Sequence, residues 1–177
     1  MKIGVIADTH IPEVIPSLPS KLREAFSNVD IILHAGDVCD LAPLHELENN
    51  FTITMAVAGE GDRPEARRYL EEKKVVEFGR RKVGLIHGHQ GEEKGVLGTL
   101  RRLWRGPDYE SIYRYVLNQF SDVDAIIFGH THRPYIKTVE GVLLFNPGPA
   151  SPVGNARPSV GILDIEENTI AGRIINL

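Results

Sequence analysis

The chain has little of what marks disulfide-stabilised, secreted or membrane-embedded proteins. Cys39 is the only cysteine among 177 residues. No intramolecular disulfide can therefore form, and no cysteine-based zinc cluster fits. The apolar run near the N-terminus is interrupted by Asp8, too early for a signal peptide or a membrane span. We therefore expect a cytoplasmic protein that does not associate with membranes.

An excess of charge of one sign is also missing. The chain has 20 Lys and Arg against 24 Asp and Glu, for a formal net charge of −4 at pH 7. Because a generally basic surface is absent, stable nucleic-acid binding is not expected. The hydrophobic share of 42% and the charged share of 25% are those of an ordinary globular protein. We predict one domain over residues 1–177, and homo-oligomer formation stays open.

Apolar segments that end in Asp or His are the main feature that the sequence does contain. Four of them read as buried strands followed by polar residues: IGVIAD, IILHAGD, VGLIHGH and AIIFGH. Side chains that bind a metal must converge from distant parts of the chain, and strand ends of a packed sheet are rigid places to hold them. The pattern therefore predicts a metal site.

The spacing within these motifs indicates which side chains share an ion. Asp8 and His10 are two residues apart, so on an extended segment both point to the same side. His130 and His132 have the same spacing. Asp37 ends a Gly-Asp pair, and its carboxylate is able to bridge two cations. Mixed carboxylate and imidazole ligands suit Mn²⁺, Fe, Ni²⁺ or Zn²⁺ better than Ca²⁺.

Strand and helix signals alternate over the first two thirds of the chain, and the remainder is all-β. Predicted helices cover residues 20–26, 41–47 and 64–74, with Ser20 and Asp62 as N-caps, and a longer helical stretch is broken at Gly106 and Pro107. Predicted strands cover residues 2–8, 30–37, 51–58, 75–78, 82–87, 125–129, 135–139, 142–145, 160–165 and 169–175. Alternation favours a parallel-rich sheet with helices outside, and the β-rich tail requires a second sheet or an antiparallel extension. Two facing sheets flanked by helices satisfy both.

Together the motifs resemble those of the calcineurin-like metallophosphoesterases, specifically the short YfcE-type phosphodiesterases. The family's D-x-H, G-D, H-G-H and G-H-T-H motifs occur in order, with its N-P-G turn at residues 146–148. The resemblance implies an α/β fold, a four-layer αββα sandwich of two mixed β-sheets flanked by helices, of the metallo-dependent phosphatase-like type. It also implies a phosphoesterase, a phosphodiesterase in particular, that hydrolyses a P–O ester with a hydroxide activated by two metal ions.

The resemblance also assigns roles to the candidate ligands. It implies two divalent ions, with Mn²⁺ in first place and Ni²⁺, Zn²⁺ or Fe as alternatives. Asp8, His10 and His132 match the family's ligands of the first ion. Asp37 matches the carboxylate that bridges the two ions, and His87 and His130 match ligands of the second ion.

Catalytic roles follow from the same resemblance. His89 is expected to contact the substrate phosphate. Larger members of the superfamily carry a histidine that protonates the leaving group where this chain has Gly61, so acidic alcohols are favoured as leaving groups. His10 and His89 are candidates to replace it in part, and the expected catalytic residues are His10, Asp37 and His89. The expected substrate is a phosphoester small molecule or a nucleotide-like compound.

One motif departs from the family's pattern. Where the family has G-N-x-D, with the Asn as a ligand of the second metal, this chain has Glu60. Three outcomes are open: Glu60 binds the second ion and shifts metal preference, it swings out and leaves that site weak, or its charge repels a phosphate and prevents turnover. Our hypothesis is that Glu60 ligates and that activity is reduced but present.

Two other functions remain open at this point. A catalytically weak or inactive metal-binding scaffold or interaction protein of the same fold is the first, because a fold does not guarantee catalysis. A mononuclear structural metal protein is the second. Full retention of the ligand motifs favours the enzyme, whereas Glu60 favours the scaffold.

Three weaker signals each have two interpretations. His34 either orients Asp37 or is a core histidine bonded to the backbone. Asn146 either supports the site or forms a turn. A basic cluster at helical spacing either recruits anionic substrate or is the solvated face of an amphipathic helix; its members are Lys94, Arg101, Arg102 and Arg105.

Overall fold

Two β-sheets form the centre of the computed structural model, which describes residues 1–92 and 108–177. Their strands, in chain order, are β1 (Lys2–Ile6), β2 (Ile31–His34), β3 (Thr54–Ala56), β4 (Lys73–Phe78), β5 (Arg81–Ile86), β6 (Ala125–Ile127), β7 (Tyr135–Val139), β8 (Val142–Asn146), β9 (Ser159–Ile165) and β10 (Ile170–Asn176). The first sheet has the order β10-β9-β1-β2-β3 and the second the order β4-β5-β6-β8-β7.

Both sheets are mixed, with a parallel centre. In the first sheet β1, β2 and β3 run parallel, while β9 and β10 are antiparallel additions. In the second sheet β5, β6 and β8 run parallel, and the edge strands β4 and β7 are antiparallel. The carboxyl ends of neighbouring parallel strands lie at one edge, so the loops that follow β1, β2, β5 and β6 are brought together.

Apolar side chains from the inner faces of the two sheets form the central core. This core includes Val5, Leu33, Leu85, Ile127 and Phe145, all fully buried. Burial of such side chains stabilises the fold by roughly 1.5–3 kcal/mol each, as an upper estimate. The packing of these side chains fixes how the two sheets face each other, and it therefore also fixes the positions of the loops at the strand ends.

Helices cover both outer faces. The helices are α1 (Leu22–Ala25), α2 (Ala42–Asn50), α3 (Pro64–Arg67) and α4 (Tyr109–Leu117), and a 3₁₀ turn spans His89–Gly91. Leu22 of α1 and Leu47 of α2 pack on the first sheet. Ile112 and Val116 of α4 pack on the second. The four-layer αββα sandwich expected from the sequence is therefore confirmed.

Two of the predicted caps are wrong. Helix α1 begins at Leu22, after Lys21, and makes no side-chain cap hydrogen bond, so Ser20 is not its cap. Helix α3 follows Arg63 and also lacks a side-chain cap. The carboxylate of Asp62 is instead engaged by two backbone amides, as described below. At Asp62 the capping pattern gives way to hydrogen bonds with the amides of Cys39 and Gly59.

The predicted helix over residues 64–74 is too long. It ends at Arg67, and residues from Lys73 onward belong to β4. Strand β4 pairs antiparallel with β5 from Lys73 to Phe78, which confirms the predicted hairpin. The hairpin takes these residues because ladder hydrogen bonds and burial outweigh a weak helical propensity.

The segment after the 3₁₀ turn is described only in part. Helix α4 is capped by Asp108, whose side chain accepts a hydrogen bond from the Ser111 amide at 3.3 Å. The basic cluster of the sequence analysis and the predicted break at Gly106 and Pro107 lie outside the described residues. Within the described ranges, no helix has the length and apolar character needed to cross a bilayer.

Candidate metal centre

Four of the predicted ligands meet in one buried cluster at the ends of the two sheets. Asp8, His10, Asp37 and His132 each offer one ligand atom, and these atoms all lie within 4.8 Å of one another. The first sheet supplies Asp8, His10 and Asp37, while the loop after β6 supplies His132. His10 Nε2 lies 3.4 Å from His132 Nε2 and 3.6 Å from Asp37 Oδ2. Distances of this size separate neighbouring ligands of one ion.

The remaining predicted ligands form two close pairs beside this cluster. His87 Nε2 lies 3.4 Å from Asp37 Oδ2, and His130 Nδ1 lies 3.2 Å from Glu60 Oε1. The ring centroids of His87 and His130 are 5.3 Å apart. Side-chain exposure is 54% for Glu60 and 7% for His130, so the carboxylate approaches the imidazole from the solvent side.

His89 lies next to these pairs but does not join them. Its ring centroid is 5.5 Å from that of His87 and 6.3 Å from that of His130. The residue is 6% exposed, and among the described residues no group hydrogen-bonds its Nδ1. A buried imidazole with a free nitrogen at this place is available to a ligand that enters the centre.

Backbone geometry brings the ligands together in a way that the sequence argument did not foresee. Alternation on an extended segment was the expected reason for the pairing of Asp8 with His10. Both residues instead have left-handed φ values, 52° and 46°. Asp37, His130 and His132 also have positive φ values, of 55°, 65° and 51°. Such conformations are costly for residues other than glycine and cluster at functional sites.

Backbone hydrogen bonds between the loops hold these strained turns. The Asp8 amide donates to the Gly36 carbonyl at 3.1 Å, and the His10 amide donates to the Asp37 carbonyl at 3.0 Å. The loop after β1 is thus tied to the loop after β2. The His130 amide donates to Asp8 Oδ1 at 3.1 Å and connects the second sheet to the first.

Two glycines allow close approach around the carboxylates and imidazoles. A Cβ atom on Gly59 would overlap both the backbone and the carboxylate of Asp37. Gly36 has φ +92°, and a Cβ there would lie 2.7 Å from His87 Nδ1. Any side chain at either position would push a candidate ligand out of place.

Burial and neighbouring charges together shift the pKa values of these residues in opposite directions. Burial raises the pKa of Asp8 to about 7. Burial alone would also raise the pKa of Asp37, but contact with His87, the Gly61 amide and His10 holds it well below its usual range. Burial opposes protonation of His87, yet the Asp37 carboxylate raises its pKa to about 9. The cluster thus keeps negative charge on Asp37.

Unpartnered buried atoms show that these residues suit a divalent cation. Asp8 Oδ2 and His87 Nε2 are buried and, among the described residues, have no hydrogen-bond partner. Each unsatisfied buried polar group costs roughly 1–3 kcal/mol. Coordination of each atom by a cation removes that cost, and carboxylate with imidazole is a donor set that first-row transition metals accept.

His34 supports the centre from below. It is fully buried; the Gly36 amide donates to its Nδ1 at 3.2 Å, and its Nε2 lies 3.2 Å from Thr9 Oγ1. Thr9 in turn donates to the Asp37 carbonyl at 3.3 Å. Burial lowers the pKa of His34 to about 3. His34 is therefore a neutral core histidine bonded to the backbone that reaches Asp37 only through Thr9.

Asp62 and Asn146 connect loops around the centre. Asp62 accepts hydrogen bonds from the amides of Cys39 and Gly59, each at 2.7 Å. Asn146 Nδ2 donates to the Gly129 carbonyl at 2.6 Å, and its Oδ1 accepts from the Gly148 amide at 2.8 Å. Asn146 thus both forms the predicted turn and holds the loop that carries His130 and His132.

Glu92 is a residue of the centre that the sequence analysis missed. Its Oε1 lies 3.1 Å from His130 Nε2, on the ring nitrogen opposite the one that faces Glu60. No motif marks it, because it follows the H-G-H motif in a segment without periodicity. A cleft of about 290 Å³ opens at this point, lined by Glu60, Glu92, Tyr109, Ile112, His130, Thr131 and His132.

Comparison with known proteins places this arrangement in a family. A family model described as a calcineurin-like phosphoesterase superfamily domain matches residues 1–168. A probable metallophosphoesterase of Methanothermobacter thermautotrophicus is 34% identical over 175 residues, with 99% of this chain and 92% of that protein covered.

Two solved structures share the fold over nearly their whole length. An archaeal phosphodiesterase has a TM-score of 0.69 and 25% identity, with 100% of both chains covered. The zinc complex of Vps29, a vacuolar protein sorting protein, from Entamoeba histolytica has a TM-score of 0.72 and 26% identity, with 99% of both chains covered. The fold therefore occurs in both a phosphodiesterase and a sorting protein.

Proposed function

Because the chain belongs to the calcineurin-like phosphoesterase superfamily, we propose that it is a metal-dependent phosphodiesterase. The observation that carries this proposal is the convergence of Asp8, His10, Asp37 and His132 within 4.8 Å. Similarity to a solved archaeal phosphodiesterase supports the same class of reaction. The proposed substrate is a phosphodiester of a small molecule or a nucleotide-like compound.

The proposed metal ligands divide between two ions. Asp8, His10 and His132 would hold the first ion, and Asp37 would be shared with the second. His87, His130 and Glu60 would complete the second site. Two divalent ions, Mn²⁺ in first place, would supply a water of lowered pKa and positive charge for the phosphate oxygens.

The remaining residues position the reacting groups. His89, buried with a free ring nitrogen, is placed to donate a hydrogen bond to a phosphate oxygen. Gly61 has no side chain that could supply a proton, and its backbone amide already donates a hydrogen bond to Asp37 Oδ1 at 2.7 Å. Leaving groups that depart without a proton, such as phenols, are therefore the ones we expect to react fastest.

Glu60 makes this centre more negative than a neutral ligand would. Contact with His130 lowers the pKa of Glu60, which keeps the carboxylate ionised beside the imidazole. An ionised carboxylate binds a cation more strongly than an amide does, but it also repels the phosphate that must lie nearby. We propose that the ion is held and that turnover is slower than with a neutral residue.

A metal-binding scaffold is the second candidate. The chain is as similar in fold to a zinc-bound vacuolar protein sorting protein as to a phosphodiesterase. Glu60 adds charge that disfavours phosphate binding. The full set of Asp and His ligands favours the enzyme, because a scaffold does not need it.

The test is hydrolysis of bis-p-nitrophenyl phosphate by metal-stripped protein to which Mn²⁺ is added back. Activity should depend on Mn²⁺, and Asp37→Asn should lose about 100-fold or more, because the bridging charge is removed. Asp40→Asn, a partly exposed aspartate of the same loop, is the matched control and should keep its activity. Folded protein that is inactive with Mn²⁺, Ni²⁺ and Zn²⁺ supports the scaffold instead.

A further inference from the structure

Two histidines of the centre show a common arrangement of their ring nitrogens. His87 Nε2 faces Asp37, while its Nδ1 lies 2.7 Å from the Ala35 carbonyl. His10 Nε2 also faces Asp37, while its Nδ1 lies 3.8 Å from Cys39 Sγ. One nitrogen is turned to the metal centre and the other is held by a partner outside it. Metal-binding histidines are generally oriented in this way.

His130 completes the pattern with a carboxylate as the outer partner. Its Nδ1 lies 3.2 Å from Glu60 Oε1, on the side of the second ligand pair. Its Nε2 is buried and lies 3.1 Å from Glu92 Oε1, without an aligned hydrogen bond. The Glu92 side chain is 25% exposed, so water competes with this contact only in part.

We propose that Glu92 is a positioning residue for the second metal. It accepts a hydrogen bond from the Nε2–H of His130, which keeps the proton on Nε2 and leaves Nδ1 free to coordinate beside Glu60. The carboxylate selects this tautomer and makes Nδ1 a better electron-pair donor. This inference rests on the proposed function, since it assumes that a second ion binds.

Glu92 is not itself a ligand of the same ion. Glu60 and Glu92 approach opposite nitrogens of one imidazole, and the two nitrogens of a ring point away from each other. An ion bound to Nδ1 therefore lies beyond the reach of Glu92. Glu92 acts through His130, so the affinity for the first ion, at Asp8, His10 and His132, should not depend on it directly.

Calorimetric titration of the metal-free protein with Mn²⁺ tests the proposal without reference to hydrolysis. Wild type should bind two equivalents. Glu92→Ala should weaken the second by about 10- to 100-fold and leave the first unchanged. Glu92→Gln should lie in between, because the amide oxygen still accepts the hydrogen bond from Nε2–H but carries no charge. Glu110→Ala, an exposed glutamate on the neighbouring helix, should match wild type.

Electron paramagnetic resonance of the same samples gives an independent readout. At two equivalents of Mn²⁺, wild type should show an exchange-coupled pair, and Glu92→Ala should show uncoupled first-site and free Mn²⁺. Unchanged affinity for the second equivalent, equal weakening of both, or a single equivalent in wild type overturns the role of Glu92. None of these results depends on whether bis-p-nitrophenyl phosphate is hydrolysed, so failure of the proposed function is recognised separately.

Discussion

Asp37 is the residue on which most contacts of the centre depend. Its Oδ2 lies within 3.6 Å of both His10 Nε2 and His87 Nε2, and its Oδ1 accepts a hydrogen bond from the Gly61 amide at 2.7 Å. The glycines on either side of it in space, Gly36 and Gly59, leave room for these contacts. A small set of residues thus fixes one carboxylate at the point where the candidate ligands of both sheets meet.

Glu60 stands where the resemblance to the family's motif predicts an asparagine, and it provides a direct prediction. Glu60→Asn removes one negative charge near the phosphate and keeps an oxygen ligand. We expect kcat/KM for bis-p-nitrophenyl phosphate to rise by about three- to tenfold, equivalent to roughly 0.7–1.4 kcal/mol. Steady-state kinetics at saturating Mn²⁺ is the measurement.

Glu65→Asn is the control for this change, since Glu65 is an exposed acidic residue of α3. It makes the same change in charge away from the centre and should leave kcat/KM unaltered. Lower activity in Glu60→Asn would show that the carboxylate contributes more as a ligand than it costs as a charge.

At the scale of elements, the end of β2 is joined to the loop after β1 through His34. Nδ1 of the ring accepts a hydrogen bond from the Gly36 amide, and Nε2 faces the Thr9 hydroxyl. That hydroxyl donates a hydrogen bond to the Asp37 carbonyl. This connection requires a neutral ring. Burial lowers the pKa of His34 to about 3, from an ordinary value of 6.5.

The position of His34 predicts acid sensitivity. Between pH 6.5 and about pH 3, the unfolded chain binds a proton on His34 that the folded chain refuses, so the free energy of unfolding falls as pH falls. From pH 6.5 to pH 5 this loss should be about 2 kcal/mol. His34→Gln, neutral at every pH, should show a correspondingly smaller slope in urea denaturation of the metal-free protein.

His45→Gln is the matched control, because His45 lies on α2 with 70% of its side chain exposed. Its unfolding free energy should follow the wild-type dependence on pH. If His34→Gln keeps the wild-type slope, the acid sensitivity comes from other groups of the centre.

At the scale of the whole molecule, the metal centre joins the two sheets. The loops of the first sheet carry Asp8 and Asp37, and those of the second carry His87, His130 and His132. Asp8 Oδ2, which is buried and has no hydrogen-bond partner among the described residues, lies at this junction. An ion that binds only the folded chain should therefore stabilise the molecule as a unit.

Metal-linked stability is the corresponding prediction. Mn²⁺ at about 100 times its Kd should add about 2.7 kcal/mol and raise Tm by several degrees. In Asp8→Asn this increase should be lost. Without metal, the same variant should unfold at or above the wild-type temperature, because a buried carboxylate oxygen without a partner is replaced by a neutral group.

Differential scanning calorimetry with and without Mn²⁺ measures both effects. Asp40→Asn should keep the full increase in Tm. A Mn²⁺-induced increase that survives in Asp8→Asn would place the stabilising ion elsewhere on the protein.

The sequence by itself determined the elements and the candidates. Apolar runs that end in Asp or His predicted the central strands, and the β-rich tail predicted a second sheet or an antiparallel extension. The tail supplies both, since β7 and β8 belong to the second sheet and β9 and β10 extend the first. These patterns are local, because a buried strand is recognised from the apolar residues of its own segment. The motifs also supplied Asp8, His10, Asp37 and His132 as candidates, which the structure brings within 4.8 Å. Spacing paired His132 with His130, and only the resemblance to the family grouped it with Asp8 and His10.

Only the tertiary structure decided how the candidates meet. Left-handed turns at Asp8 and His10 are held by hydrogen bonds to the loop after β2, which no pattern in their own segment shows. Glu92 is close to His130 across a sequence separation of 38 residues. Asp62 bonds to the amide of Gly59 and to that of Cys39 on another loop instead of capping α3. Such contacts depend on the packing of two sheets, because long-range geometry exists only after the core has formed.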